Sequence, residues 1–215
     1  MSILITHAGE IATAFSVTLA LFAAAAVCAL TLGATLAVTR SLPVGTLRRI
    51  AAGYVSVMRN TPVVLVFFFI TFGLPQLGLR FSFFAYATIA LALYEAAHVC
   101  ESLRSGFNAI APGQSQAARS LGMSGAMMLR EILLPQAVRN AVPALGNNLI
   151  SLAKATSLAG SFGVVEATAQ LHRLTIEEPG AVFVVFCGIA AGYVAINLAV
   201  ATVVRRFELR LAVPA

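Results

Sequence analysis

The 215-residue chain contains no aspartate, a single lysine and three cysteines, and only 10% of its residues are charged. A soluble domain usually carries about 25% charged residues, so a single water-soluble core is excluded. Without aspartate there can be no Walker-B-type carboxylate on Mg²⁺, and several phosphotransferase patterns drop out with it. The lone lysine, Lys154, follows Ser-Leu-Ala. No G-x-x-x-x-G-K-[ST] phosphate loop is present. If ATP drives this protein, another chain must bind it. Cys28, Cys100 and Cys187 lie in or near apolar segments without CxxC spacing, so they are expected to be small packing residues rather than a redox or metal set. His98 is the one histidine well inside an apolar segment, which argues against an intramembrane serine hydrolase. No catalytic or metal-ligating residue is expected.

What is abundant is apolar surface, at 60% of residues. Segments 11–39, 60–79 and 179–204 contain no Lys, Arg, Asp or Glu, and each matches the roughly 20 residues an apolar helix needs to cross a hydrocarbon core. The N-terminal run is too long, and lacks the basic flank, for a cleavable signal peptide. We expect an all-α, polytopic membrane bundle of about five transmembrane helices over 11–38, 61–77, 83–103, 135–158 and 181–204, forming one transmembrane domain over 1–215. "GLPQLG" (73–78) reads as a short external turn.

The net charge of +6 could suggest nucleic acid, but its distribution does not. Arg40, Arg48, Arg49, Arg59, Arg104, Arg119, Arg130, Arg139, Arg205, Arg206 and Arg210 fit one side of a membrane, and Arg80 and Arg173 the other. Cytoplasmic loops carry the excess of Lys and Arg, so the N-terminus is expected outside and the C-terminus inside. Membrane lipid is the expected surround, and no nucleic-acid partner is expected.

The third and fourth spans are less pure than the rest. They carry Glu95 and Glu101, and Asn147, Asn148, Lys154, Thr156 and Ser157. A charge near the bilayer centre costs several kcal/mol, roughly 2.5–3.5 on the lowest scale, and so faces a partner or a wet cavity. Lys154 could meet a substrate carboxylate, Glu95 or Glu101 a substrate ammonium, and the neutral groups could offer hydrogen bonds near a break at Gly160 and Gly163. The simpler expectation for Lys154 is a structural ion pair with Glu101 or Glu166.

Between these spans lies "GQSQAARSLGMSGAMMLREILLP" (113–135). Residues 116–121 predict a two-turn helix with Ala117, Ala118 and Leu121 on one face. Gly122 is placed to end it in the left-handed conformation, and Ser124 to cap the next helix. A short helix with a small-residue face is suited to docking in a groove of a cytoplasmic partner, or to lying on the lipid surface.

This segment resembles the EAA signature of inner-membrane subunits of ABC importers: E-A-A, glycine four residues on, then I-x-L-P. Here it reads Gln116-Ala117-Ala118, Gly122 and Ile132-Leu133-Leu134-Pro135. "RNTPVVLVFFFITFGLP" (59–75) and "LPQAVRNAVPALGNNLISLAKATSL" (134–158) are similar to the second- and fourth-span signatures of the polar amino acid subfamily. Two departures stand out: Gln116 replaces the glutamate, and Ala155 stands where the subfamily often has aspartate.

The resemblance implies the permease fold of type I ABC importers. It implies ATPase coupling through Gln116, Ala117, Ala118, Arg119, Leu121 and Gly122. A translocation path would draw on Arg59, Glu95, Glu101, Asn147, Asn148, Lys154, Thr156 and Ser157. It further implies two ATPase subunits carrying the ATP and Mg²⁺, a second permease subunit (the same or related), and an extracytoplasmic amino-acid-binding protein, at a bacterial inner membrane. "RNTP" with "VFFF" looks most like glutamate-type members. The alternative is a secondary transporter or channel without an ATPase. Such proteins often show internal repeats, and none is found here.

Overall fold

A computed structural model describes residues 2–41 and 44–211, and among these no β-strand occurs. The helices are α1 (Ser2–Thr6), α2 (Ala8–Ser41), α3 (Gly45–Asn60), α4 (Val63–Phe68), α5 (Leu74–Gln76), α6 (Phe83–Asn108), α7 (Pro112–Ser120), α8 (Gly125–Met127), α9 (Leu134–Ala155), α10 (Ala167–Glu177) and α11 (Val182–Leu211). A π-helical turn, Phe69–Gly73, joins α4 to α5, and another, Met128–Leu133, joins α8 to α9. A 3₁₀ segment, Thr156–Phe162, follows α9. The architecture is an all-α bundle, as expected.

The helix ends have local causes. Pro62 holds the preceding Thr61 extended (φ −104°, ψ 132°), as the residue before proline prefers, and there the chain turns by 109° between α3 and the 63–76 segment. The Ser82 hydroxyl accepts from the Ala85 N–H and caps α6. Gly163 closes the 3₁₀ segment at φ +91°, and a Cβ there would lie 2.8 Å from the Phe83 ring.

α6 is the centre of the bundle. Just over half of its apolar window, 56%, is buried, against 28% for α2 and 11% for the C-terminal helix. Small residues let its neighbours approach closely, the usual device where lipid removes the hydrophobic drive between helices. Gly33 of α2 sits against Val99 and the Ala96 carbonyl. Gly106 of α6 sits against the Ala137 carbonyl and Ala141 of α9, and Gly146 of α9 against Val204 of α11. Leu21, Phe67, Tyr86, Leu91 and Leu152 pack the main core.

Among the described residues, three helices are long and apolar enough to cross a membrane: α2, α6 and the C-terminal helix. A fourth span exists if the bent 45–76 pair counts as one. The second expected span, 61–77, is helical over 63–76, only ~21 Å at 1.5 Å per residue, and is the short arm of that bent pair. The fourth expected span is α9, whose place matches. Its Arg139, Asn140, Asn147, Asn148 and Lys154 leave it short of an apolar span by composition alone. It packs between α6 and α11 through its buried Ala137, Ala141, Gly146, Leu152 and Ala153, while Arg139, Asn140, Asn147 and Lys154 are exposed.

Candidate functional site: a capped surface helix and a polar cavity

α7 starts a turn earlier than the sequence pattern suggested, because Pro112 occupies its first turn, where a missing N–H costs nothing. Its end is a Schellman motif: Met123 N–H donates to the Ala118 carbonyl (3.1 Å) and Gly122 N–H to the Arg119 carbonyl (3.0 Å), with Gly122 at φ +72°. The Ser124 hydroxyl then accepts from Met127 N–H (3.3 Å) and caps α8. Both turn expectations hold. The proposed docking face divides, however. Leu121 is 81% exposed and Gln116, Ala117, Arg119 and Gly122 are exposed, whereas Ala118 is turned into the chain at 4%. Arg119 folds back on the Ser115 carbonyl (3.2 Å).

Where α2, α3 and α6 meet, three arginines converge on Glu101. Arg40 hydrogen-bonds one carboxylate oxygen. Arg104, one turn along α6, bonds the other through Nε (3.1 Å) and Nη2 (2.8 Å). Arg59 stands 3.7 Å away as an ion pair without a hydrogen bond. A cavity of about 320 Å³ opens beside them, lined also by Ser56, Asn60 and His98. An adjoining one of about 380 Å³ adds Ser102, Ser105, Asn108 and Asn148. One carboxylate among three guanidiniums leaves this region cationic, and Arg59 is the guanidinium least engaged by it.

The structure therefore brings together Arg59, Glu101 and Asn148 of the expected path residues, with Asn148 donating to Ser102 (2.9 Å). It does not bring the others to this cavity. Glu95 is buried at 3% exposure and lines neither compartment. Asn147 is exposed. The Thr156 hydroxyl is fully buried and donates to the Ala153 carbonyl (2.8 Å), and the Ser157 hydroxyl donates to the Lys154 carbonyl (2.7 Å).

The expected ion pair of Lys154 is not formed. Lys154 is exposed and has no ion pair among the described residues. Glu101 is taken by arginines. Glu166 is fully buried and held without a cation. It caps α10 by accepting from the Thr168 (2.9 Å) and Ala169 (3.1 Å) N–H groups, and the Tyr193 hydroxyl donates to it at 2.5 Å. Thr18 accepts from Ala167 N–H beside it (3.2 Å). Backbone N–H and hydroxyl donors occupy the carboxyl oxygens where a lysine was expected.

Sequence reasoning missed Arg40, His98 and Arg104 as site residues. Only Arg104 left a local sign, its i+3 spacing from Glu101. At the opposite end of α2, Glu10 accepts from Gln170 and from Arg173 (both 2.9 Å), so the start of α2 and α10 share one end of the bundle.

The bundle thus holds a cationic cavity at one end and presents a capped surface helix between α6 and α9. Residues 29–213 match the family described as "Binding-protein-dependent transport system inner membrane component". The chain belongs to this family. It is 40% identical over 197 residues to the glutamate transport system permease protein GluC of Corynebacterium efficiens, covering 86% of each chain. It is 33% identical over 180 residues to the probable glutamine ABC transporter permease protein GlnM of Bacillus subtilis, covering 84% of this chain and 83% of that one. Among solved structures, an amino acid ABC transporter crystallised with histidines superposes with a TM-score of 0.90 at 30% identity, covering 96% of each chain. The MetNI methionine ABC transporter in an inward-facing form superposes at 0.74 with 18% identity, a likeness of fold.

Proposed function

We propose that this chain is the transmembrane permease subunit of an ATP-driven importer for polar amino acids of the glutamate type, acting as one transmembrane domain over 1–215 in a bacterial inner membrane. The observation that carries the reading is the capped α7 segment, with Gln116, Ala117, Arg119, Leu121 and Gly122 turned outward, in a chain 40% identical to glutamate permeases. That surface docks an ATPase subunit, which binds the ATP and Mg²⁺. This chain itself does no hydrolysis, binds no cofactor and has no catalytic residue. A second permease subunit and an external amino-acid-binding protein complete the assembly. The test is purification of the tagged chain from its native membrane. An ATPase should accompany it, with hydrolysis stimulated by L-glutamate in the presence of the binding protein. Transport of glutamate by the chain alone would instead identify a secondary transporter.

The N-terminus lies outside and the C-terminus in the cytoplasm. Arg40 and the α7 segment adjoin one end of the bundle and Glu10 with Arg173 the other, and arginine predominates at the first. Cysteines placed at Arg48 and Arg80 should differ in reaction with an impermeant thiol reagent added outside. Labelling at position 48 and not at position 80 would invert the orientation.

The substrate path runs along the cationic cavity and the exposed Lys154. Among the described residues Lys154 has no ion pair with a carboxylate, so it is placed to meet a substrate carboxylate. Lys154→Met should assemble with unchanged basal ATP hydrolysis and lose most glutamate uptake. Normal uptake by this variant would remove Lys154 from the path.

A further inference from the structure

α3 differs in character from the apolar helices around it. At about 100° per residue its packed and its exposed apolar side chains overlap at Tyr54 and Leu47. Ala51 and Val55 are buried, and Tyr54 beside them donates its hydroxyl to the Leu93 carbonyl of α6 (2.6 Å). Leu47 (45%), Ile50 (65%) and Val57 (60%) are exposed apolar residues, lying within an arc of about 80° by the same geometry. Arg48 and Arg49 are exposed about 100° apart, Arg48 on the side of Val55 and Arg49 on the side of Val57.

The helix also lies in an unusual direction. It meets the following 63–76 segment at 109° instead of continuing it. Arg40, in the last turn of α2, and Arg59, in the last turn of α3, reach the same carboxylate of Glu101. α3 begins four residues after α2 ends and its last turn returns to the carboxylate that Arg40 of α2 reaches, so both of its ends adjoin the end of α2. A helix with one face packed on protein, one exposed apolar face and one cationic face, laid across the end of a membrane span, has the form of an interfacial helix.

The charges on it are unequal in their partners. Arg40, Arg59 and Arg104 share Glu101. Arg48 and Arg49 have no ion pair among the described residues. Arg49, about 80° around the helix from Val57, flanks the apolar arc, and Arg48, its neighbour in sequence, adds a second exposed guanidinium; together they complement a phosphodiester anion carried on a hydrophobic tail.

We propose that α3 is an interfacial lipid-binding helix: Arg48 and Arg49 hold the headgroup phosphate of an anionic phospholipid while Leu47, Ile50 and Val57 contact its acyl chains. The same helix ends in Arg59 at the cationic cavity, so an occupied headgroup site steadies one wall of that cavity. The site does not depend on the transported substrate or on the identity of the ATPase.

The test uses the full-length chain purified with its accompanying subunits and exchanged into mixed micelles containing equal amounts of phosphatidylglycerol and phosphatidylcholine. Lipid retained after washing is counted by mass spectrometry. Wild type should retain phosphatidylglycerol in excess. Arg48→Gln with Arg49→Gln should reduce that excess on the order of five-fold or more, the scale of losing the attraction of one to two basic residues to an anionic surface. Arg48→Lys with Arg49→Lys should keep most of it, which separates loss of charge from loss of fold. Millimolar inorganic phosphate should not displace the lipid. Equal retention of the two lipids by wild type would overturn the proposal. So would an unchanged excess in the glutamine variant, or displacement by inorganic phosphate, which would identify a simple anion site.

Discussion

Glu101→Gln should be the most damaging single polar substitution in the bundle. The carboxylate is the common acceptor for Arg40 and Arg104 and the nearest counter-charge to Arg59. Its side chain is 17% exposed and that of Arg40 19%, so both are largely withdrawn from water. Removing one partner of a buried pair costs ~3–5 kcal/mol because the other charge stays behind uncompensated. The exposure of Arg59 and Arg104, each 47%, lets those two turn toward water and holds the expected loss to the low end, about 3 kcal/mol. The permease should therefore unfold at lower temperature in detergent and accumulate poorly in the membrane. Adding Arg40→Gln to Glu101→Gln should recover much of the loss, since the more sheltered guanidinium is removed with its acceptor. A Glu101→Gln protein as stable as wild type would show that the arginines are solvated independently of Glu101.

Gly122→Phe should separate folding from coupling. At φ +72° a residue with a side chain is strained by ~1–2 kcal/mol, a local cost at the end of a surface helix. The chain itself offers no clash, because a Cβ at Gly122 meets nothing within 4 Å. The variant should therefore insert and pack its core normally. The phenyl group would project beside Leu121 and Ala117, where the proposed ATPase groove must close on the helix. Substrate-stimulated ATP hydrolysis should fall by about tenfold or more, as the loss of ~1.4 kcal/mol in docking requires. Gly122→Ala should retain most of it. Normal coupling in the phenylalanine variant would exclude close approach at this turn and move the docking surface elsewhere on the 112–133 segment.

Much of this molecule is determined over short stretches of chain. Charge-free runs mark α2 and α11 because a hydrocarbon core admits little else. The ending of α7 at Gly122 and the cap at Ser124 were legible because each depends on backbone conformation within a few residues. The coupling signature is likewise local, so it could be read before any fold was known.

The pairing of the charged residues was settled only by tertiary structure. Arg40 and Glu101 are 61 residues apart, and Thr18 and Glu166 are 148 apart. Among the described residues Lys154 goes without the acidic partner its sequence position invited. Which charges meet depends on how each helix is rotated about its axis and how far it slides along its neighbour. Contacts such as Gly106 against Ala137 and Gly33 against Val99 fix those two variables, and they belong to pairs of helices distant in sequence. Pro62 announced a break, but the 109° turn that lays α3 across the bundle depends on where α6 receives Tyr54 and Arg59. The sequence by itself determined that the chain is helical and membrane-embedded and that α7 ends in a glycine turn at Gly122, because those properties follow from composition and local backbone preference. Only the packed bundle decided that Glu101 serves three arginines and that Lys154 meets neither Glu101 nor Glu166, because helix rotation and register are set by contacts between segments far apart in the chain.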